Sequence, residues 1–322
     1  MFSLQFRMWL MLTVLFAVVY AVIVVIGQTL GIGNFYFYLL ISFGMMFVQY
    51  LIGPKMVEWS MRVKYIERNQ NPKLYQMVEA LAVRARMPAP KICISELPIP
   101  NAFAFGRGLN DGRVCVTQGI LRLLDDEELK AVLGHELAHL KNRDVLTITL
   151  LSVIPMIMYR LAWHFMFYGG GRRDERGGAA NGMIIGLVAF LFYFLTNLLV
   201  LYASRIREYF ADKGSIEMGN KPSALASALY KLVYGSARMG KDSLKEAEGL
   251  KAFFINDPSL ALNEFRELSQ LDLDRSGTID TTELMALKSK TVHLSFGDRL
   301  MELLGTHPNM LKRIKHLSEQ HG

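Results

Sequence analysis

Two histidines with three residues between them, the first of the three a glutamate, stand at His135-Glu136-Leu137-Ala138-His139. On a helix, residues i and i+4 lie one above the other, so both imidazoles point the same way and offer two nitrogens to one metal ion. Zinc held ~2.0–2.1 Å from each nitrogen asks for no distortion of the backbone. Glu136 emerges about a hundred degrees round the helix, beside the open coordination position, suited to take a proton from water and return it to a leaving amine. The plainer alternative is a pair of solvated histidines beside a salt-bridging glutamate. The flanking Gly134 and Leu140 speak against it, because they make this face at least partly buried.

A catalytic zinc needs a third protein ligand and an open fourth position. The residues leave His164, His293, His307 and several carboxylates as candidates. Glu208, in SRIREYFAD (204–212), is foremost, with Asp212 one turn further along the same face. That spacing suits a ligand carboxylate followed by an acid that orients a ligand histidine. Arg205 and Arg207 keep a second explanation open, in which Glu208 is an interfacial salt-bridge partner.

A second string, DLDRSGTIDTTE (272–283), carries the pattern of a calcium-binding EF-hand loop. Asp272, Asp274, Ser276, Asp280 and Glu283 occupy positions 1, 3, 5, 9 and 12; Thr278 contributes a carbonyl, Gly277 the turn and Ile279 the apolar eighth position. The flanks read as helices. Against calcium stands the simpler reading of an acidic turn with solvated carboxylates.

The elements that must position these groups are legible in outline. Asp125 and Glu128 have capping-box spacing, so the metal helix starts near 126 and runs through the 130s. Asn71-Pro72 reads as an N-cap and first helical position of an amphipathic helix over 72–87, which stops before Pro88. Between them, short β-prone runs at 91–95, 101–105 and 113–117 predict a small sheet. Cys93 and Cys115 sit in two of these runs and read as reduced core residues. Residues 204–322 read as mostly helical.

The chain of 322 residues is 52% hydrophobic and only 20% charged, and its mean hydropathy is positive. The excess lies in blocks. Residues 8–27 and 35–53 carry no charge, and each is long enough to cross ~30 Å of hydrocarbon. Residues 183–203 form another such block. Residues 145–168 are apolar but contain Pro155, Arg160 and His164, so the later pair either spans or forms a partly buried hairpin roofing the site. The first block is too long for a cleaved signal peptide. Arg7 before the first block, with Lys55, Arg62, Lys64 and Arg68 after the second, puts the bulk domain in the cytoplasm by the positive-inside rule. The net charge of +7 suits an anionic leaflet; without a basic stripe of interleaved aromatics, nucleic acid is not an expected partner.

The metal helix is expected to run through Lys141-Asn142-Arg143-Asp144 into the third block, and the fourth block runs into the helix of Glu208. Zinc would then lie near the cytoplasmic face. Charged residues on both sides of the histidine string argue against a site inside the bilayer.

HELAHLKNRD (135–144), SRIREYFAD (204–212) and THPNMLKRI (306–314) together resemble the HtpX heat-shock membrane proteases and the wider group with the CAAX prenyl proteases and mitochondrial Oma-type proteases. The likeness covers nearly the whole chain. It implies a mainly α membrane protein: a gluzincin-like HExxH zinc metalloprotease domain with a small sheet, an N-terminal transmembrane hairpin and a second hydrophobic helix pair. The segments would be 1–54, 55–144, 145–203 and 204–322. It implies one zinc per subunit held by His135, His139 and Glu208, with Glu136 as general base and acid. Asp212 would support a ligand from outside. His307 and Arg313 would stabilise the oxyanion or anchor substrate backbone. Asn101, Ala102, Phe103 and Ala104 would offer a strand edge to an extended peptide. It implies a multi-pass prokaryotic cell-membrane enzyme whose polypeptide substrates are damaged membrane proteins. The loop 272–283 is outside the family pattern. The main alternative is a membrane adaptor or sensor with structural zinc and calcium; oligomeric state is open.

Overall fold

The computed structural model describes residues 35–168, 178–237, 264, 268–289 and 295–320. The first apolar block, most of the connector and His293 lie outside the described residues. The rest falls into two compact units, one built from the described part of 1–51 with 146–206, the other from 52–145 with 207–322.

The first unit is helical. Helix α1 (Phe35–Ser60) contains the second apolar block and continues past it through Pro54. Helices α5 (Asp144–Tyr168) and α6 (Gly178–Glu217) carry the later blocks. Among the described residues, two stretches are long and apolar enough to cross a membrane, Leu146–Trp163 in α5 and the one starting at Gly182 in α6. Ala162, Phe165 and Ala189 pack between them, whereas Ile184, Leu187, Leu191 and Phe194 of α6 are turned outward.

The second unit contains all the candidate zinc groups. Strands β1 (Val63–Tyr65), β2 (Lys91–Ser95), β3 (Ala102–Phe105) and β4 (Arg113–Thr117) form one sheet in the order β1-β2-β4-β3. The β2/β4 pair is parallel and the outer pairs are antiparallel, so β3 is an edge strand. The three β-prone runs are strands; β1, too short to carry a pattern, is an addition. Cys93 and Cys115 are directly opposite in the parallel pair, buried and free. Burial pushes the Cys93 thiol up to about 12, which makes it inert.

Helix α2 (Pro72–Ala85) starts where Asn71 accepts a hydrogen bond from Leu74 N–H, with Pro72 at its first position. The short helix α3 (Gln118–Leu123) leads into α4 (Asp126–Lys141), whose capping box is complete: Asp125 and Glu128 each accept the other's backbone N–H at 3.0 Å. Such a cap contributes about 1 kcal/mol. Leu129, Val132, Leu133 and Leu137 of α4 lie in the main core with residues of α2 and of α7 (Pro222–Ala237), each fully buried leucine contributing roughly 1.5–3 kcal/mol. The chain closes with α8 (Thr281–Ser289), α9 (Phe296–Leu304) and α10 (Met310–Glu319).

One expectation is corrected. The metal helix does not run unbroken into the third apolar block. It ends at Lys141; Asn142 caps it, and Arg143 takes a left-handed conformation (φ 54°) before α5 begins at Asp144. The helix of Glu208, in contrast, is continuous from Gly178 to Glu217.

Candidate metal centre

Glu208 reaches the histidines because α4 and the last turns of α6 pack closely where small residues face each other. A Cβ at Gly134 would lie 2.3 Å from Asn220 Nδ2 and 2.8 Å from Ser215 Oγ, and one at Gly214 would lie 2.6 Å from Ala138 Cβ. Ser215 Oγ donates to Ala131 O at 2.6 Å, tying the helices at the crossing. Glycine at 134 and 214 is therefore a packing requirement of the site.

At the crossing, His135 Nε2 and His139 Nε2 are 3.1 Å apart, their rings nearly perpendicular. Glu208 lies 3.5 Å from each, through Oε2 to His135 Nε2 and Oε1 to His139 Nε2. The far nitrogens face carboxylates: His135 Nδ1 is 2.9 Å from Asp212 Oδ1, and His139 Nδ1 is 2.5 Å from Asp144 Oδ2. Each carboxylate accepts a hydrogen bond from Nδ1–H, and in that tautomer the two Nε2 lone pairs face each other. Once both rings are neutral, two lone pairs so close repel unless a cation lies between them. Two ligands ~2.0–2.1 Å from a tetrahedral zinc stand roughly 3.4 Å apart, and the three separations here match that spacing. Glu208 Oε2 is also buried without a hydrogen-bond partner among the described residues. The donor set fits zinc.

Arg313 secures this arrangement from behind. Its Nε and Nη2 donate to Asp212 Oδ2 and Oδ1 at 3.0 and 2.6 Å, and Nη1 is 3.1 Å from Glu208 Oε2. That last contact is an ion pair by distance without hydrogen-bond geometry. Burial works against the charges here, yet the neighbouring carboxylates prevail: His135 is pushed up to about 9 and Arg313 is raised above its ordinary value. Burial raises Glu136 above the usual carboxylate range.

The sequence candidates come together unevenly. Glu136 lies next to the histidines, with Oε2 accepting from Ala104 N–H at 2.8 Å. Asn101, Ala102 and Phe103 are buried, so β3 presents backbone rather than side chains. Asn101 O accepts from Thr117 N–H; by alternation Ala102 and Ala104 turn their backbone groups to the free edge. His307 reaches the centre, its Nδ1 3.5 Å from Glu208 Oε1.

Arg313 departs from expectation. Its side chain has no exposed surface, and the guanidinium lies against Asp212 and Glu208. The interfacial pairing of Glu208 with Arg207 is also absent, since Arg207 Nε lies 2.9 Å from Asp144 Oδ1. Asp144 was missed as a site residue. Its signal was its place in KNRD, where a charged residue closes the metal string just as the apolar block begins.

In the acidic loop, ligand atoms of Asp272, Asp274 and Glu283 lie within 4.8 Å of one another. Gly277 has a positive φ of 80° and Ile279 is buried, as positions 6 and 8 require. The other three candidates bind within the loop: Asp280 Oδ1 accepts from Glu283 N–H, and the hydroxyls of Ser276 and Thr278 are 2.8 Å apart.

Residues 68–321 match the model of peptidase family M48. Curated relatives include a "Protease HtpX homolog" of Methanothermobacter thermautotrophicus, 50% identical over 231 residues (72% of this chain, 86% of the relative). Another, from Moorella thermoacetica, is 36% identical over 278 residues (85% of this chain, 80% of the relative). Among solved structures, S. mikatae Ste24p matches with a TM-score of 0.50 at 14% identity, covering 97% of this chain and 66% of that one. That likeness speaks for the fold alone. The adaptor reading gives way, for the chain belongs to peptidase family M48 and is a membrane-associated metallopeptidase.

Proposed function

We propose that the chain is a zinc endopeptidase that cleaves membrane proteins, or loops close to the bilayer, on the cytoplasmic side, in the removal of damaged membrane proteins. His135, His139 and Glu208 hold the ion. One observation carries the chemistry: two Nε2 lone pairs converge with a buried carboxylate at the spacing of a tetrahedral ion.

When bound, zinc supplies Lewis acidity toward the scissile carbonyl and toward water. Everything else is done by this chain's own groups. An extended substrate pairs with the outward backbone groups of Ala102 and with the Ala104 carbonyl, which sets the scissile carbonyl beside the histidines. Glu136 is held through Oε2 by Ala104 N–H, so Oε1 takes the proton of the attacking water and delivers it to the departing amine nitrogen. Its raised proton affinity favours that second transfer. His307 donates to the developing oxyanion. Asp212 and Arg313 keep His135 and Glu208 in place.

The membrane part of the reading draws on the outward apolar residues of α6 and on the lysines and arginines that follow the second apolar block. The decisive experiment uses the full chain with a membrane-protein substrate. Glu136→Gln keeps zinc at one per chain and lowers kcat about 10²–10⁴-fold. Equal cleavage by parent and variant would refute the assignment.

The loop 272–283 we read as a calcium site. The observation in its favour is that Asp272 and Glu283 are buried carboxylates with no lysine or arginine within 4 Å among the described residues.

A further inference from the structure

The second metal histidine has an outer support of its own. Asp144 is buried, and each of its oxygens has one partner: Oδ2 faces His139 Nδ1 at 2.5 Å and Oδ1 faces Arg207 Nε at 2.9 Å. Arg207 is buried too, and Asp144 is the acidic group within 4 Å of it among the described residues; the contact is an ion pair by distance, without hydrogen-bond geometry. Had α4 continued, Asp144 would sit at i+5 from His139, about 140° round the helix and out of reach. The left-handed turn at Arg143 folds it back. The interruption between α4 and α5 is thus what delivers a carboxylate to His139.

Set beside the other histidine, the pattern repeats. Arg313, Asp212 and His135 form one chain of contacts; Arg207, Asp144 and His139 form another. Both draw on the few residues of α6 around Glu208: Arg207 precedes it and Asp212 follows one turn on. A single short helical segment therefore supplies the direct carboxylate ligand and an anchor for each imidazole.

We propose that Asp144 and Arg207 are positioning residues of the zinc centre, with Arg207 holding Asp144 so that Asp144 fixes the tautomer and orientation of His139. This rests on the zinc assignment above. A buried carboxylate on the remote nitrogen raises the basicity of the metal-bound one and locks the ring. A buried arginine in turn stops that carboxylate from rotating away. The competing view is an ordinary buried ion pair joining two helices, which would matter for stability only.

The test is zinc affinity, measured on the full chain in detergent by competition with a chromophoric chelator, together with the visible spectrum of the Co²⁺ form. Asp144→Asn should weaken zinc about 10- to 100-fold and shift the cobalt bands. Arg207→Met should weaken it less, and the double variant no more than Asp144→Asn alone, because both act through one path. Arg207→Lys should recover part of the loss. Zinc affinity within about twofold of the parent with only a lower apo-protein Tm, or fully additive losses, would overturn the proposal. If Asp144→Asn does not accumulate folded, the cobalt spectrum of Arg207→Met decides: moved bands support it, unmoved bands overturn it. Failure of the parent chain to bind zinc would sink the proposed function itself, whereas parental binding with an indifferent Asp144→Asn sinks this inference alone.

Discussion

The zinc centre and the acidic loop both gather carboxylates, but they do so in opposite ways. The zinc groups come from α4, α6 and the region of α10, far apart in sequence, and each is held by a buried partner on another element. The loop draws everything from one run of twelve residues. Its carboxylates are satisfied largely by the loop's own backbone: Asp272 accepts from Ser276 and Gly277 N–H, and Glu283 from Leu273 and Asp280 N–H. The first site is pre-organised by tertiary packing. The second has already met its hydrogen-bonding needs, so an ion there replaces contacts as well as adding them.

Arg313 offers the hardest test of this contrast. It is the cation that makes two buried carboxylates tolerable at the zinc centre. Arg313→Met leaves Asp212 and Glu208 facing each other without it, and removing one partner of a buried pair costs about 3–5 kcal/mol. We expect a fall of that size in the metal-free chain by denaturant unfolding, with most of it recovered on adding zinc. The matching change in the loop, Asp274→Asn, removes an exposed carboxylate and should stay within about 0.5 kcal/mol. Comparable losses at the two sites would erase the distinction.

The same contrast explains what the sequence revealed and what it withheld. Helix starts were readable because Asn71-Pro72 and the Asp125/Glu128 pair act within four residues. The two histidines were readable for the same reason. The place of Glu208 needed a resemblance, because nothing local says which distant carboxylate will cross α4; Gly134 and Gly214 mark that crossing, but only once both helices are known. Asp144 went unseen since it reaches His139 through a left-handed arginine, and Arg143 has no residue-type signature for that conformation. Arg313 was named through its spacing from His307, which does not tell which way a guanidinium points. Strand β1, three residues long with a half-exposed pattern, is formed by pairing with β2 and not by its own periodicity.

Acidity separates the sites next. In the metal-free chain burial opposes the charged form of His135, yet Asp212 and Glu208 push it up to about 9. A pKa raised above the unfolded value of ~6.5 stabilises the fold fully below that pH and is lost as pH rises through the folded value. Zinc requires the imidazole neutral, so one proton leaves on binding. Between about pH 6.5 and 9, apo-protein stability should therefore fall while apparent zinc affinity rises by up to tenfold per unit. The Tm gap between zinc-loaded and metal-free forms should widen across that window. A gap that narrows, or calorimetry showing no proton release near neutrality, would mean that His135 is not held as described.

Calcium should give the smallest effect, and the argument for its size comes from the loop itself. Asp272 and Glu283 are buried and close, and Tyr230 OH donates to Asp272 Oδ2 at 3.2 Å, which ties the loop to α7. An ion must displace the backbone N–H bonds these carboxylates now accept, and one loop without a paired hand has weak affinity. With a dissociation constant in the ~10⁻³ M class, about 10 mM calcium stabilises by roughly 1.4 kcal/mol. We expect a small upward Tm shift in calcium, absent in magnesium and abolished by Glu283→Gln, with the zinc content unchanged. Magnesium has the same charge but dehydrates reluctantly and demands tight octahedral geometry, so equal shifts from both ions would report charge screening of an acidic turn. No shift at all would leave the loop a self-satisfied turn, and the contrast with the zinc centre would then be complete.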